Sequence, residues 1–223
     1  DYSVPRCYVP RRVAVNTDQF LARLACPVVP VVVVEQVAHA VPLAEALFSG
    51  GVSALEITLR TEIGLEAMGA IKAAFPDQLV GAGTVLNSEQ FRSAIDRGAD
   101  FIVSPGAADA LFDTAAKYEL PFLPGAVTGS EIMTALDRGY RTLKFFPAEA
   151  SGGAAAIKAF SGPFGDLTFM PTGGITPDNL ATYLSVNSVV AVGGSWLTPR
   201  GLLREGQWEA IYQLAREAVE MCA

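Results

Sequence analysis

The chain of 223 residues holds a single histidine, His39, and only three cysteines, Cys7, Cys26 and Cys222. One imidazole is too few for a histidine-based metal centre. A Ser-His-Asp relay would have to pass through His39, which lies in the helical pattern VAHAVPLAEAL beside Pro42 and reads as structural. The cysteines are odd in number, far apart and form no C-x-x-C pair, so neither a disulfide framework nor a zinc site is indicated. Long apolar runs are missing as well. The longest, CPVVPVVVV at 26–34, is too short to span a bilayer and is broken by Pro27 and Pro30, which suits a buried strand. Basic charge is also scarce. The net charge of −7 argues against non-specific nucleic-acid binding, although backbone amides can hold a small anion inside an acidic protein. Residues 1–15 carry Arg6, Arg11 and Arg12 but no apolar h-region, so they do not read as a secretory signal. A tail outside the folded domain is expected there, and a reducing, cytoplasmic setting for the rest.

Apolar residues make up 51% of the chain and charged residues 17%, enough for a substantial core. Eight β-branched runs recur at 27–34, 54–60, 79–86, 101–106, 121–127, 142–149, 168–175 and 189–197. Helical stretches such as EIGLEAMGAIKAAF, SEQFRSAIDRG, ADALFDTAAKYE and GSEIMTALDRG separate them, several ending at a glycine as helix C-caps do. Near-continuous apolar strands alternating with helices describe a parallel sheet covered on both faces. Eight such units predict a (β/α)₈ TIM barrel, one domain over residues 16–223, with an extra N-terminal helix in TDQFLARLA. An open doubly wound sheet fits less well, because the first strand runs into EQVAHA without a G-x-G-x-x-G turn; GAGTVL resembles that turn superficially and sits on the third strand.

In such a barrel the chemistry gathers at the carboxyl ends of the strands. Those ends carry Arg60 and Thr61, Thr84, Ser104 and Pro105, Thr128, Lys144 and Glu149, Thr172 to Gly174, and Gly193 to Ser195. Of four lysines, Lys72, Lys117 and Lys158 belong to helical segments and can keep their heads in water. Lys144 alone, in TLKFFPAE, falls inside a buried strand. A buried cation costs several kcal/mol unless it is paired or gives up its proton, and a neutral lysine amine attacks carbonyls. A structural ion pair with Glu56 or Glu149 is the competing explanation. Glu56 and Arg60 are four apart in ALEITLR, so strand periodicity sends both to one face. There Arg60 would disfavour the charged amine, and Glu56 could shuttle protons. The glycine pairs of PTGGI and VGGSWL close the seventh and eighth strands, where barrels often hold a phosphate against backbone N–H groups.

Taken in order and spacing, VVPVVVV, LEITLRT, GAGTVLN, SPG, LKFFPAEASGG, PTGGI and GGSW resemble the class I 2-keto-3-deoxy-6-phosphogluconate (KDPG) aldolase family, many of whose members also act on 2-keto-4-hydroxyglutarate. The resemblance starts near Thr17 and runs to the C-terminus. It implies a barrel, commonly a homotrimer, that needs no metal or other cofactor, binds pyruvate and phosphorylated 2-keto acids, and has no nucleic-acid or membrane partner. By motif it makes Lys144 the Schiff-base lysine and Glu56 its acid–base partner. Arg60, Thr84, Pro105, Phe146 and Thr172 would contact substrate; Gly173, Gly174, Gly194 and Ser195 would surround its phosphate. A sister group that cleaves the galactonate epimer tends to read E-I-P-L-N on the second strand, I-F-P-S-S after the lysine and an apolar residue before the glycine pair. EITLRT, KFFPAE and Thr172 fall on the gluconate side, and a hydroxyl at Thr172 can tell epimers apart. A barrel isomerase or decarboxylase would need no imine. A phosphosugar-binding barrel would keep the glycines but have no use for Glu56 and Lys144 buried together.

Overall fold

The computed structural model of the chain describes residues 11–222. Eight strands are present among them: β1 (Val28–Val32), β2 (Ala54–Thr58), β3 (Leu79–Gly83), β4 (Ile102–Val103), β5 (Phe122–Leu123), β6 (Thr142–Phe145), β7 (Thr168–Pro171) and β8 (Val192–Gly194). The helices are α1 (Arg11–Ala22), α2 (Ala40–Ser49), α3 (Gly64–Ala74), α4 (Ser88–Asp96), α5 (Asp109–Ala115), α6 (Gly129–Asp137), α7 (Gly153–Phe160), α8 (Pro177–Leu184), α9 (Arg200–Glu205) and α10 (Trp208–Glu220). Most of the tail expected over residues 1–15 lies outside the described residues.

All strand pairs are parallel and follow the order β5-β4-β3-β2-β1-β8, with β6 and β7 paired beside them. Single parallel bridges join Gly125 to Lys144, Phe169 to Val189 and Thr172 to Gly193. The result is an α/β fold with a curled parallel sheet. Each strand stops short of the run that predicted it, because the last residues of each run leave the ladder and form the rim where polar groups collect.

Side chains alternate across this sheet. Outward positions such as Leu55, Ile57, Val80, Ile102 and Leu143 pack under the helices. Inward ones such as Val29, Leu79, Val103, Leu123 and Met170 form a second, smaller core, which includes Phe20 of α1. The Phe20 ring lies 4.4 Å from that of Phe101, centroid to centroid. Ala54 belongs to this inner core, so Glu56, two residues on, points the same way; Lys144 is in register with Met170.

Local signals agree with the helix ends. Gly98 and Gly139 follow α4 and α6 in the left-handed region, with Ala99 N–H closing on Ala94 and Tyr140 N–H on Ala135. His39 keeps a structural place, its ring edge-on to Trp208 with centroids 5.2 Å apart. Cys26 and Cys222 are free thiols. Lys72 departs from expectation. Its ammonium donates to Pro76 O at 2.8 Å, to Gln78 O at 3.0 Å and to Asp100 at 2.7 Å. Asp100 also accepts from Val80 N–H at 2.9 Å, so this lysine ties α3 to the starts of β3 and β4. A partner 28 residues away is invisible to a helical pattern.

Thr128, at the rim after β5, caps α6: its hydroxyl accepts from Glu131 N–H, and Glu131 accepts from Thr128 N–H. Burial raises the Glu131 carboxyl, but hydrogen bonds from Val127 N–H, the Thr128 hydroxyl and Thr128 N–H outweigh it and hold the group below its ordinary value. A lowered carboxyl stabilises the fold above the unfolded-state range and loses that contribution as pH falls through the folded value. Thr128→Ala is therefore expected to cost about 1 kcal/mol in urea denaturation near neutral pH, with the deficit shrinking on acidification through the carboxylate range.

Candidate active site

The side chain of Lys144 enters the inner space at the carboxyl end of β6 and is 3% exposed. Its Nζ donates to Glu56 Oε1 at 2.9 Å and lies 5.4 Å from the centre of the Phe146 ring. Glu56 is wholly buried, and its second oxygen, Oε2, has no partner in the protein. An acid and an amine are in direct contact there, shut away from bulk water, with one carboxylate oxygen left over. Such a pair can pass a proton across one hydrogen bond and leave a neutral amine.

Room for the carboxylate comes from Gly83 on β3. A Cβ at that position would sit 2.1 Å from Glu56 Oε1, so no other residue fits without displacing the acid. On the same strand, Gly81 clears space for the Phe101 ring. The GAG stretch, superficially a nucleotide turn, is thus a pair of clearances. Gly83 was not among the expected site residues, although an apolar strand with two glycines on one face signals a close approach.

Arg60 lies elsewhere than periodicity suggested. β2 ends at Thr58, so alternation no longer governs the arginine. Arg60 is exposed at the rim and donates through Nε to Thr84 Oγ1 at 3.3 Å. Thr84 holds φ 55°, a left-handed conformation costly for a β-branched residue. The cation and its threonine therefore form a separate polar pair at the mouth, above the ends of β2 and β3.

Thr172 follows β7 and is 5% exposed; its Oγ1 also lacks a protein partner. Gly193 on β8 makes that possible, since a Cβ there would lie 2.2 Å from the hydroxyl. Gly173 and Gly174 are both left-handed, at φ 97° and 81°. Phe146 abuts the first of them, 3.2 Å from where a Cβ would stand. Gly194 gives way to the Trp196 ring, and Ser195 is exposed beside it. Pro105 follows β4, half-buried, with its carbonyl against Gly125. The structure thus joins Lys144 to Glu56 and Phe146, joins Arg60 to Thr84, and sets Thr172 to Gly174 just past β7, the strand paired with that of the lysine. Among the described residues no group of three or more His, Cys, Asp or Glu side chains is placed to hold a metal ion. No helix among them is long and apolar enough to cross a membrane.

Comparison with known proteins falls on this frame. Residues 21–214 match the family model for KDPG and KHG aldolases. The KHG/KDPG aldolase of Escherichia coli (strain K12) is 50% identical over 194 residues, which is 87% of this chain and 91% of that protein. The 2-dehydro-3-deoxy-phosphogluconate aldolase of Dickeya dadantii (strain 3937) is 50% identical over 204 residues, 92% of this chain and 95% of that one. Among solved structures, KDPG aldolase from Legionella pneumophila, with pyruvate captured at low pH as a covalent carbinolamine intermediate, superposes with a TM-score of 0.87. It is 41% identical over 94% of this chain and 98% of that chain.

The buried pair makes a stability prediction of its own. Glu56→Leu strips the lysine of its partner and is expected to cost about 3–5 kcal/mol in urea unfolding, while adding Lys144→Met to it recovers most of the loss. Equal losses in the single and double variants would mean that the carboxylate does not compensate the ammonium.

Proposed function

The chain belongs to the KDPG and KHG aldolase family, and we propose that it is a Schiff-base aldolase cleaving 2-dehydro-3-deoxy-6-phosphogluconate to pyruvate and glyceraldehyde 3-phosphate. The observation that carries this reading is the Lys144 amine held 2.9 Å from Glu56 in a dry enclosure. Glu56 takes the ammonium proton, and the neutral amine adds to the C2 ketone of the substrate. The resulting carbinolamine is the kind of species trapped in the Legionella pneumophila protein. Glu56 gives that proton to the C2 hydroxyl, which leaves as water to give a protonated imine, and Glu56 is again a carboxylate. Glu56, through a bridging water, then removes the proton of the C4 hydroxyl; the C3–C4 bond breaks, and its electron pair enters the imine to give an enamine. Glyceraldehyde 3-phosphate leaves. The enamine is protonated at C3 and hydrolysed, releasing pyruvate and the free lysine. The imine is itself the electron sink, so the cycle needs no metal.

Arg60 and Thr84 receive the substrate carboxylate at the mouth, where their mutual bond already orients the guanidinium. Phe146 and Pro105 flank the imine. The Thr172 hydroxyl, buried and unspent toward the protein, reads a substrate hydroxyl and favours the gluconate over the galactonate epimer. The left-handed Gly173 and Gly174, with Gly194 and Ser195 on the adjacent strand, receive the phosphate. Cleavage of 4-hydroxy-2-oxoglutarate to pyruvate and glyoxylate is a second reaction of the same site, supported by the double name of the Escherichia coli relative. We extend the proposal to a closed (β/α)₈ barrel over residues 16–223. The single bridges that link β6 and β7 to their neighbours support closure. A homotrimer in the cytoplasm rests on the family resemblance.

Incubation with pyruvate and borohydride is expected to add one reduced pyruvate to Lys144, read by peptide mass spectrometry. An adduct on another residue, or none, would overturn the mechanism. Lys144→Ala should abolish cleavage with the far-UV circular dichroism unchanged, and EDTA should leave the wild-type rate as it was.

A further inference from the structure

We propose that Glu149, Asn179 and Tyr183, none of which touches the reacting carbons, are positioning residues that hold the Gly173–Gly174 turn in its anion-binding shape. The inference rests on the reading of that turn as the phosphate subsite. Three successive carbonyls there are tied down. Thr172 O accepts from Ala148 N–H at 2.8 Å, Gly173 O accepts from Glu149 N–H at 3.1 Å, and Gly174 O accepts from the Asn179 side-chain amide at 3.0 Å. With these carbonyls committed, the N–H groups of the two positive-φ glycines are the ones we assign to the phosphate. Asn179 serves twice, because its Oδ1 also accepts from Thr176 N–H at 2.9 Å. One side chain therefore fixes the turn to the first turn of α8.

The side chain of Glu149, exposed at the rim, packs against the turn. A Cβ on Gly174 would lie 2.5 Å from Glu149 Cγ, so the methylene stem lies directly against the glycine backbone. Beyond it the carboxylate accepts a short hydrogen bond from the hydroxyl of Tyr183, a residue of α8 that is 1% exposed. Burial, together with the bond to Glu149 and its negative charge, raises the Tyr183 phenol, which keeps it a donor. The carboxylate needs such a clamp. A carboxylate free to turn toward those N–H groups would repel the phosphate they receive. Tyr183 thus holds the Glu149 carboxylate against α8 while the Glu149 stem supports the turn.

The effect must fall on phosphate recognition and not on imine formation. Tyr183→Phe is expected to raise KM for the phosphorylated substrate about tenfold with kcat little changed, and Glu149→Gln added to it to bring KM back to within about threefold of wild type, since the freed group is then neutral. The pyruvate concentration giving half-maximal borohydride trapping at Lys144 should not move in either variant, because pyruvate carries no phosphate. Asn179→Asp keeps the acceptor for Thr176 N–H and removes the donor to Gly174, so it should show the same split. A parallel loss in trapping and in KM, or an unchanged KM in both Tyr183→Phe and Asn179→Asp, would overturn the positioning role. Inorganic phosphate should compete with substrate in the wild type; failure to compete would instead overturn the subsite reading, and the inference with it.

Discussion

A hydrogen bond of 2.9 Å between a buried ammonium and a buried carboxylate governs the rest of this structure. Neither group can stand alone where it is, since an uncompensated charge in an apolar interior costs several kcal/mol. The pair therefore constrains its neighbours. β3 must offer glycine at position 83, and β2 and β6 must each send a charged side chain inward where an apolar one would pack at lower cost. The same cost makes the pair useful in the mechanism proposed above: moving one proton from Lys144 to Glu56 would neutralise both groups at once and arm a nucleophile without importing any other group.

The sheet separates two kinds of work along each strand. Its lower part carries apolar side chains on both faces, giving an inner core around Phe20 and Phe101 and an outer one beneath the helices. Its upper ends break off into turns whose conformations an ordinary residue adopts poorly: Thr84 at φ 55°, Gly173 at 97°, Gly174 at 81°. These turns keep their shape because they are bonded from outside, Thr84 by Arg60 and the glycines by Ala148, Glu149 and Asn179. Buried polar side-chain atoms left unsatisfied within the protein, Glu56 Oε2, Ser104 Oγ and Thr172 Oγ1, occur on an inward-facing position of β2 and just past β4 and β7. Rigid strands below and clamped turns above give a site whose groups have little freedom before substrate arrives.

How much of this the sequence revealed depended on whether a residue broke a local pattern. Lys144 and Glu56 stood out because each is a charge inside an apolar, β-branched run. Helix ends at Gly98 and Gly139 were visible for a similar reason, a glycine closing a periodic segment. Arg60 shared the strand pattern but not the strand, which ends at Thr58, and only the backbone path shows it turning to Thr84. Lys72 looked like an ordinary helical surface lysine because its partner, Asp100, comes from a different unit of the fold. Gly83 was placed on the third strand but given no role, since a clearance is defined by the neighbour that fills it. Glu149 stood out only as a strand-end acid and a candidate partner for Lys144, and Asn179 and Tyr183 left no local signal, because contact with the glycine turn is tertiary in all three.

The aromatic plug of Phe20 and Phe101 has a kinetic consequence. Phe20 and Phe101 fill the lower end of the inner space, so in the closed barrel proposed above reactant and both products would share the opening at the carboxyl ends of the strands. Under the proposed mechanism the fragment bonded to Lys144 would be the deeper of the two and could not pass its partner. Departure is therefore sequential: the aldehyde half leaves first, and only then can water reach the enamine-derived imine and free the enzyme for another turnover.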